Sequence, residues 1–218
     1  MKRILLVIAA TVLSAIGARA DEKSDALLNT LARQMAEWGD YRVEFTVSID
    51  ANTVAGSYEV SGDSYHVTTP EMDIYCDGAT KWEVNLLDRE VAIDSVDPAD
   101  RTVMGNPTRL FDFLDGSYSR RYVGPALIDG AACERIELKE TPPAAGTGTA
   151  TTTDGQTIDL YLSATTGMPV RVGYTIGFMS TEAAIDVVRI TPRITLDRSA
   201  FGYAPGRYSG YEIIDFRP

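Results

Sequence analysis

Arg42-Val43-Glu44-Phe45-Thr46-Val47-Ser48-Ile49-Asp50 alternates polar and apolar side chains almost without fault. A period of two is the pattern of a strand with one face on a core and the other toward water. Runs of the same kind follow at 54–60, 64–69, 72–76, 81–86 and 90–95. Between them stand Ser61-Gly62-Asp63, Thr69-Pro70-Glu71, Asp77-Gly78 and Leu87-Asp88-Arg89, all turn-forming stretches. Connections so short join antiparallel neighbours, so this half of the chain reads as a meander.

Outward from the meander the pattern changes. Ahead of it, residues 24–38 place Ala26, Leu27, Leu31, Met35 and Trp38 at three- and four-residue steps, which predicts one amphipathic helix ending at Gly39. After it, Asn106-Pro107 opens a short helical stretch, 108–114, with Leu110, Phe111 and Leu114 on one side. The strand period resumes at 120–123, 133–139, 157–162, 169–176 and 184–190, with a further short run at 193–196. Residues 141–155, rich in Pro, Ala, Gly and Thr, read as a loop. The expectation is a mainly β (α+β) chain: one curved antiparallel sheet of roughly eleven strands, with an N-terminal helix and a short central one. So little helix against so large a sheet leaves two readings open, an ordinary filled core or an apolar cavity.

The N-terminus carries a different message. Met1-Lys2-Arg3 is positively charged, residues 4–16 are mostly apolar, and Ala18-Arg19-Ala20 precedes Asp21. This is the layout of a signal peptide, 1–20, cleaved after Ala20, and it leaves one domain over 21–218. The whole chain has a formal charge of −11, and removing Lys2, Arg3 and Arg19 makes the remainder more acidic still. A surface of that sign repels phosphate backbones, so no nucleic-acid partner is expected.

Chemistry is constrained by scarcity. The 218 residues hold one histidine, His66, and two cysteines, Cys76 and Cys133. A multi-histidine or four-cysteine metal site cannot be built in one chain, and any histidine-based triad would have to use His66. His66 is out of phase with Tyr65 and Val67 and is expected to face solvent. No cofactor and no enzymatic activity are expected. Cys76 shares parity with apolar Ile74, whereas Cys133 shares parity with Arg135 and Glu137, so two unpaired thiols are predicted.

Several stretches, in order, carry a family resemblance. They are the leader and long helix; the strand 43–49; Gly56-Ser57-Tyr58-Glu59-Val60 running into Gly62-Asp63-Ser64-Tyr65; Ile74-Tyr75-Cys76-Asp77-Gly78-Ala79-Thr80-Lys81-Trp82; and the C-terminal Tyr208-Ser209-Gly210-Tyr211-Glu212-Ile213-Ile214-Asp215-Phe216-Arg217. Together these resemble the outer-membrane lipoprotein carrier (LolA) family across nearly the whole of 21–218. The resemblance implies an incomplete β-barrel with a helical lid over a hydrophobic cavity for acyl chains. It implies a periplasmic, monomeric carrier that takes acylated lipoproteins from an inner-membrane lipoprotein-releasing ABC transporter to an outer-membrane receptor. A carrier of another amphiphile, such as a glycolipid or pigment, and a lipoprotein-sensing interaction module are the alternatives. Better-studied members hold the lid closed with an arginine that has no counterpart in Val60-Ser61-Gly62-Asp63. The expected lipid-facing residues are Val43, Phe45, Val47, Ile49, Tyr58, Val60, Ile74, Trp82, Val84, Val91 and Ile93, with Leu110, Phe111 and Leu114 from the lid.

Overall fold

The computed structural model describes residues 22–96, 118–140, 157–176 and 181–217. The expected leader, the 108–114 helix with Leu110, Phe111 and Leu114, and the 141–155 loop lie outside the described residues. Helix α1 spans residues 22–36. It ends at Gly39, whose φ of 62° is the left-handed conformation that glycine adopts without strain.

Among the described residues twelve strands follow: β1 Tyr41–Ile49, β2 Asn52–Ser61, β3 Ser64–Thr68, β4 Met72–Cys76, β5 Thr80–Asn85, β6 Glu90–Ser95, β7 Tyr118–Ile128, β8 Ala131–Glu140, β9 Thr157–Ser163, β10 Pro169–Ile176, β11 Thr181–Pro192 and β12 Glu212–Asp215. Their hydrogen-bonded order is β12-β6-β5-β4-β3-β2-β1-β11-β10-β9-β8-β7. Among the described residues the ladder starts at β12 and stops at β7, so the sheet is open. It is a mainly β fold with an N-terminal helix.

Three details differ from the sequence expectation. β7 runs on to Ile128, through a bulge between Tyr122 and Gly124, where alternation is broken. Residues 193–196 form no strand; instead Arg193 N–H and Ile194 N–H bond to the carbonyls of Trp38 and Asp40 at 2.9 and 3.1 Å. β12 went unrecognised and pairs with β6 in parallel, Glu212 opposite Glu90 and Asp215 opposite Ile93.

The chain forms two compact units. In the first, β8, β9 and β10 turn Ile136, Leu138, Ile158, Leu160, Leu162 and Val172 to one face, and none of these has measurable exposure. The first turns of α1 lie over that face. Lys23 Nζ donates to the Tyr122 hydroxyl at 2.7 Å and pairs with Glu134 at 3.0 Å, and Asp25 pairs with Arg120. Leu28 and Leu31 are buried in consequence. The opposite face is polar, with Arg135 gripping Asp159 through two hydrogen bonds of 2.8 and 2.9 Å. The second unit contains β1–β6, the last part of β11, and the C-terminal segment with β12. It carries the candidate site.

Candidate functional site

Register decides which candidates can act together. In β1–β4 the cross-strand partners are Val43↔Tyr58, Tyr41↔Val60, Tyr58↔Val67, Val60↔Tyr65, Val67↔Ile74 and Tyr65↔Cys76. Directly paired residues share a side of the sheet. Val43, Phe45, Val47, Ile49, Tyr58, Val60 and Ile74 therefore stand on one continuous apolar face over four strands. Sequence reasoning left out Tyr41, Tyr65 and Val67, which complete it, although their parity was readable. Val43, Phe45, Tyr58 and Val60 are buried, while Ile49, at 44% exposed, marks the open end.

Aromatic rings dominate one end of this face. Trp38 meets Tyr41 edge-on at 5.2 Å, Tyr41 meets Tyr58 at 6.3 Å, and Phe45 lies 5.9 Å from Tyr58. Burial pushes the Tyr41 hydroxyl up to about 12, so this ring stays neutral at any physiological pH.

The apolar side changes at β5. Ile74 pairs with Glu83, and Tyr75 with Trp82. Hence Trp82, Val84, Val91 and Ile93 occupy the opposite face from Val43 and Ile74. This corrects the expectation of a single shared inward surface. β4 is buried on both sides as a result: Cys76 on the first face, Asp73 and Tyr75 on the second.

The second face is covered by the chain's own C-terminal segment. After β11 this strap passes the start of β1 and forms two single-turn 3-10 helices, Arg198–Phe201 and Pro205–Tyr208. The first packs on β3, and beyond the second the strap becomes β12. Tyr208 packs with Tyr75, Val84, Val91 and Ile93, and Trp82, Leu86, Tyr203 and Tyr211 fill in around them. Tyr203 stacks on Trp82 at 6.4 Å and on Tyr208 at 5.6 Å.

Beneath the strap lies a polar cluster. Asp73, 1% exposed, accepts a hydrogen bond from the Tyr208 hydroxyl at 2.6 Å. The Tyr208 and Tyr75 hydroxyls are 2.7 Å apart, and Arg207 donates to the Tyr75 hydroxyl at 3.0 Å. Arg207 also pairs with Asp73 at 3.4 Å. His66 stacks on Tyr75 with ring centres 4.2 Å apart, and its Nε2 is 3.6 Å from Asp73 Oδ1. The expected solvent-facing histidine is thus corrected: its side chain is only 16% exposed. Nothing in the β3 alternation signals this, because the ring stacked on His66 is that of Tyr75, its cross-strand partner on β4. Burial, followed by the pull of Asp73 and Glu59 and the push of Arg207, leaves the imidazole below its ordinary range.

Both thiols are free, as parity predicts; both are also buried, Cys133 despite sharing parity with Arg135 and Glu137, and burial raises each above the usual cysteine range. Among the described residues no three acidic, cysteine or histidine side chains are grouped to hold a metal. A cleft of about 450 Å³ beside Asp63, Ser64, Asp77, Gly78, Arg198 and Phe201 has mainly polar walls, unsuited to a hydrocarbon chain. Chemically, the arrangement offers an apolar sheet face for binding and a separate, strap-covered polar cluster.

No family model matches the chain, and no curated protein does. Solved structures do. An uncharacterized conserved protein from Thermus thermophilus aligns over 88% of this chain and 99% of its own, at 8% identity and a TM-score of 0.56. A LolA superfamily protein from Nitrosomonas europaea aligns over 83% and 97%, at 11% identity and a TM-score of 0.43. A putative outer membrane lipoprotein-sorting protein domain from Vibrio parahaemolyticus aligns over 83% and 97%, at 13% identity and a TM-score of 0.41. What this chain shares with the Thermus thermophilus protein, at so low an identity, is its fold.

Proposed function

We propose that the protein is a periplasmic carrier that binds acyl chains of lipoproteins against the apolar face of β1–β4 and moves them between membranes without covalent chemistry. The observation that carries this reading is the register. It aligns Val43, Phe45, Val47, Ile49, Tyr58, Val60 and Ile74 on one side of four adjacent strands, deeply buried at one end and open at Ile49. Support also comes from the ordered sequence stretches that resemble lipoprotein carriers. Under this reading the donor is an inner-membrane lipoprotein-releasing transporter and the acceptor an outer-membrane receptor.

Magnitudes fit a carrier better than a store. Sheltering acyl carbons contributes about 0.8 kcal/mol per CH₂, so a fully covered sixteen-carbon chain would be held by roughly 10 kcal/mol before ordering costs. Release demands a weaker grip, and an open-ended face covers only part of such a chain.

Native mass spectrometry of the protein purified from periplasm tests this. A bound triacylated lipoprotein or lipopeptide supports the carrier reading. A bound glycolipid or pigment replaces it with carriage of another amphiphile, and a protein free of any amphiphile contradicts it.

A further inference from the structure

The cluster under the strap brings together the chain's one histidine, a buried carboxylate and two possible counter-ions on different elements. Arg207 belongs to the strap, and its side chain is 59% exposed; His66 belongs to β3, and its side chain is 16% exposed. Asp73 Oδ2 takes the hydrogen bond from Tyr208 and faces Arg207. Asp73 Oδ1 is buried with no hydrogen bond, and His66 Nε2 lies 3.6 Å from it. A buried carboxylate oxygen without a donor is held at a free-energy cost that a proton on the neighbouring imidazole would relieve.

We propose that His66 and Arg207 are alternative counter-ions of Asp73, and that protonating His66 loosens the C-terminal strap. At neutral pH the imidazole is uncharged, and the cation balancing Asp73 is supplied by the strap. On acidification Nε2–H reaches Oδ1, so the counter-ion comes from the sheet itself. Two cations beside one carboxylate repel each other, and the exposed, strap-borne one is free to leave. The strap then loses its ionic tie and keeps the Tyr208 hydroxyl, the stacked tyrosines and β12.

The other groups facing His66 fit this exchange. Glu59, its cross-strand partner on β2, favours the imidazolium but is already held by Arg42. Thr68 on its own strand lies 3.3 Å from Nε2, and Tyr75 on β4 covers the ring. On β5 the residues opposite Asp73 and Tyr75 are Val84 and Trp82, neither of which titrates. Loosening the strap uncovers those two side chains, so the device makes an apolar surface acid-dependent. It stands independently of the acyl-binding reading.

The test uses the full chain and its lone histidine, whose ring resonances need no assignment. By NMR titration, Arg207→Gln is expected to raise the imidazole pKa and Asp73→Asn to lower it. Backbone exchange over 203–216, corrected for intrinsic rates, is then compared at about pH 7.5 and about pH 5. Linkage limits the loss of protection to about tenfold for each unit by which the imidazole pKa differs between closed and open strap. The wild type should show that loss, and His66→Gln should not. Equal protection at both pH values in the wild type, or an equal loss in His66→Gln, would overturn the proposal. An imidazole pKa unmoved by Arg207→Gln would do the same, even if Asp73→Asn fails to fold.

Discussion

Phe45 and Gly56 are direct cross-strand partners, and the phenyl ring occupies the space where any other residue at 56 would carry its Cβ. An ideal Cβ on Gly56 would sit 2.7 Å from Phe45 Cζ and 2.9 Å from the Thr68 carbonyl oxygen. The second contact is backbone and cannot swing aside. Gly56 is what lets the β1–β4 face keep a large aromatic side chain without pushing the strands apart.

Gly56→Ala is therefore expected to destabilise the protein by about 1–3 kcal/mol, the range for overpacking a fitted core. Urea titration checks this. A stability unchanged within error would mean that Phe45 re-seats freely, and that this face is looser than described.

Tyr208→Phe removes the hydroxyl that donates to buried Asp73. Loss of a hydrogen bond to a charged, buried acceptor should cost about 1.5–3 kcal/mol. Because the tyrosine stack on Trp82 survives, exchange protection should fall over 203–216 rather than across β1. A uniform loss over the whole second unit would contradict the strap as a separable element.

The attachment of α1 has a defined pH window. The Tyr122 hydroxyl first, and then Lys23, hold Glu134 below its ordinary value of 4.5. A depressed carboxylate contributes above that ordinary value and loses its contribution as pH falls through the lowered one. Lys23 is raised above 10.5, chiefly by Tyr122, so its share is present below 10.5 and fades as pH climbs through the raised value. Both groups are partly solvated, so screening keeps the pair to at most about 1 kcal/mol. Helicity of residues 22–36 should be flat between the two limits and fray outside them. In Glu134→Gln the acid limb should vanish from a circular dichroism titration.

Neither thiol is exposed by more than 1% of its residue surface. A disulfide-exchange reagent at neutral pH should leave both unreacted in the native protein and modify both in denaturant. Rapid native labelling of Cys76 would show that the Asp77-Gly78 turn opens.

Much of this fold was legible because a half-buried strand writes its burial as alternation. β4, β6 and β10 fall where the period places them. β12 was not legible, since Glu212, Ile213 and Asp215 are all exposed and alternate nothing. The site was half legible. Parity shows which residues of a strand are apolar, but which side of the sheet they take depends on how the next hairpin pairs. Tyr65 pairs with Cys76, so the odd-numbered apolar residues of β3 join the even-numbered ones of β4. Cys76 pairs with Lys81, so the even-numbered apolar residues of β5 fall on the other side. A slip of one residue in that turn would have kept Trp82 and Val84 beside Ile74, and sequence alone cannot exclude it. His66 was misread for a related reason: the ring that stacks on it, Tyr75, is set against it by the β3–β4 pairing and not by anything in β3 itself.

The central claim is that acyl chains contact the β1–β4 face and not the strap-covered face. A lipopeptide with a photoactivatable diazirine in its acyl chain, irradiated on the full-length protein and mapped by peptide mass spectrometry, tests it most directly. The account predicts adducts on the peptides containing Val43 to Ile49 and Tyr58 to Val60. Adducts confined to Trp82, Val84, Val91, Ile93 or the strap, or none at all, would contradict it.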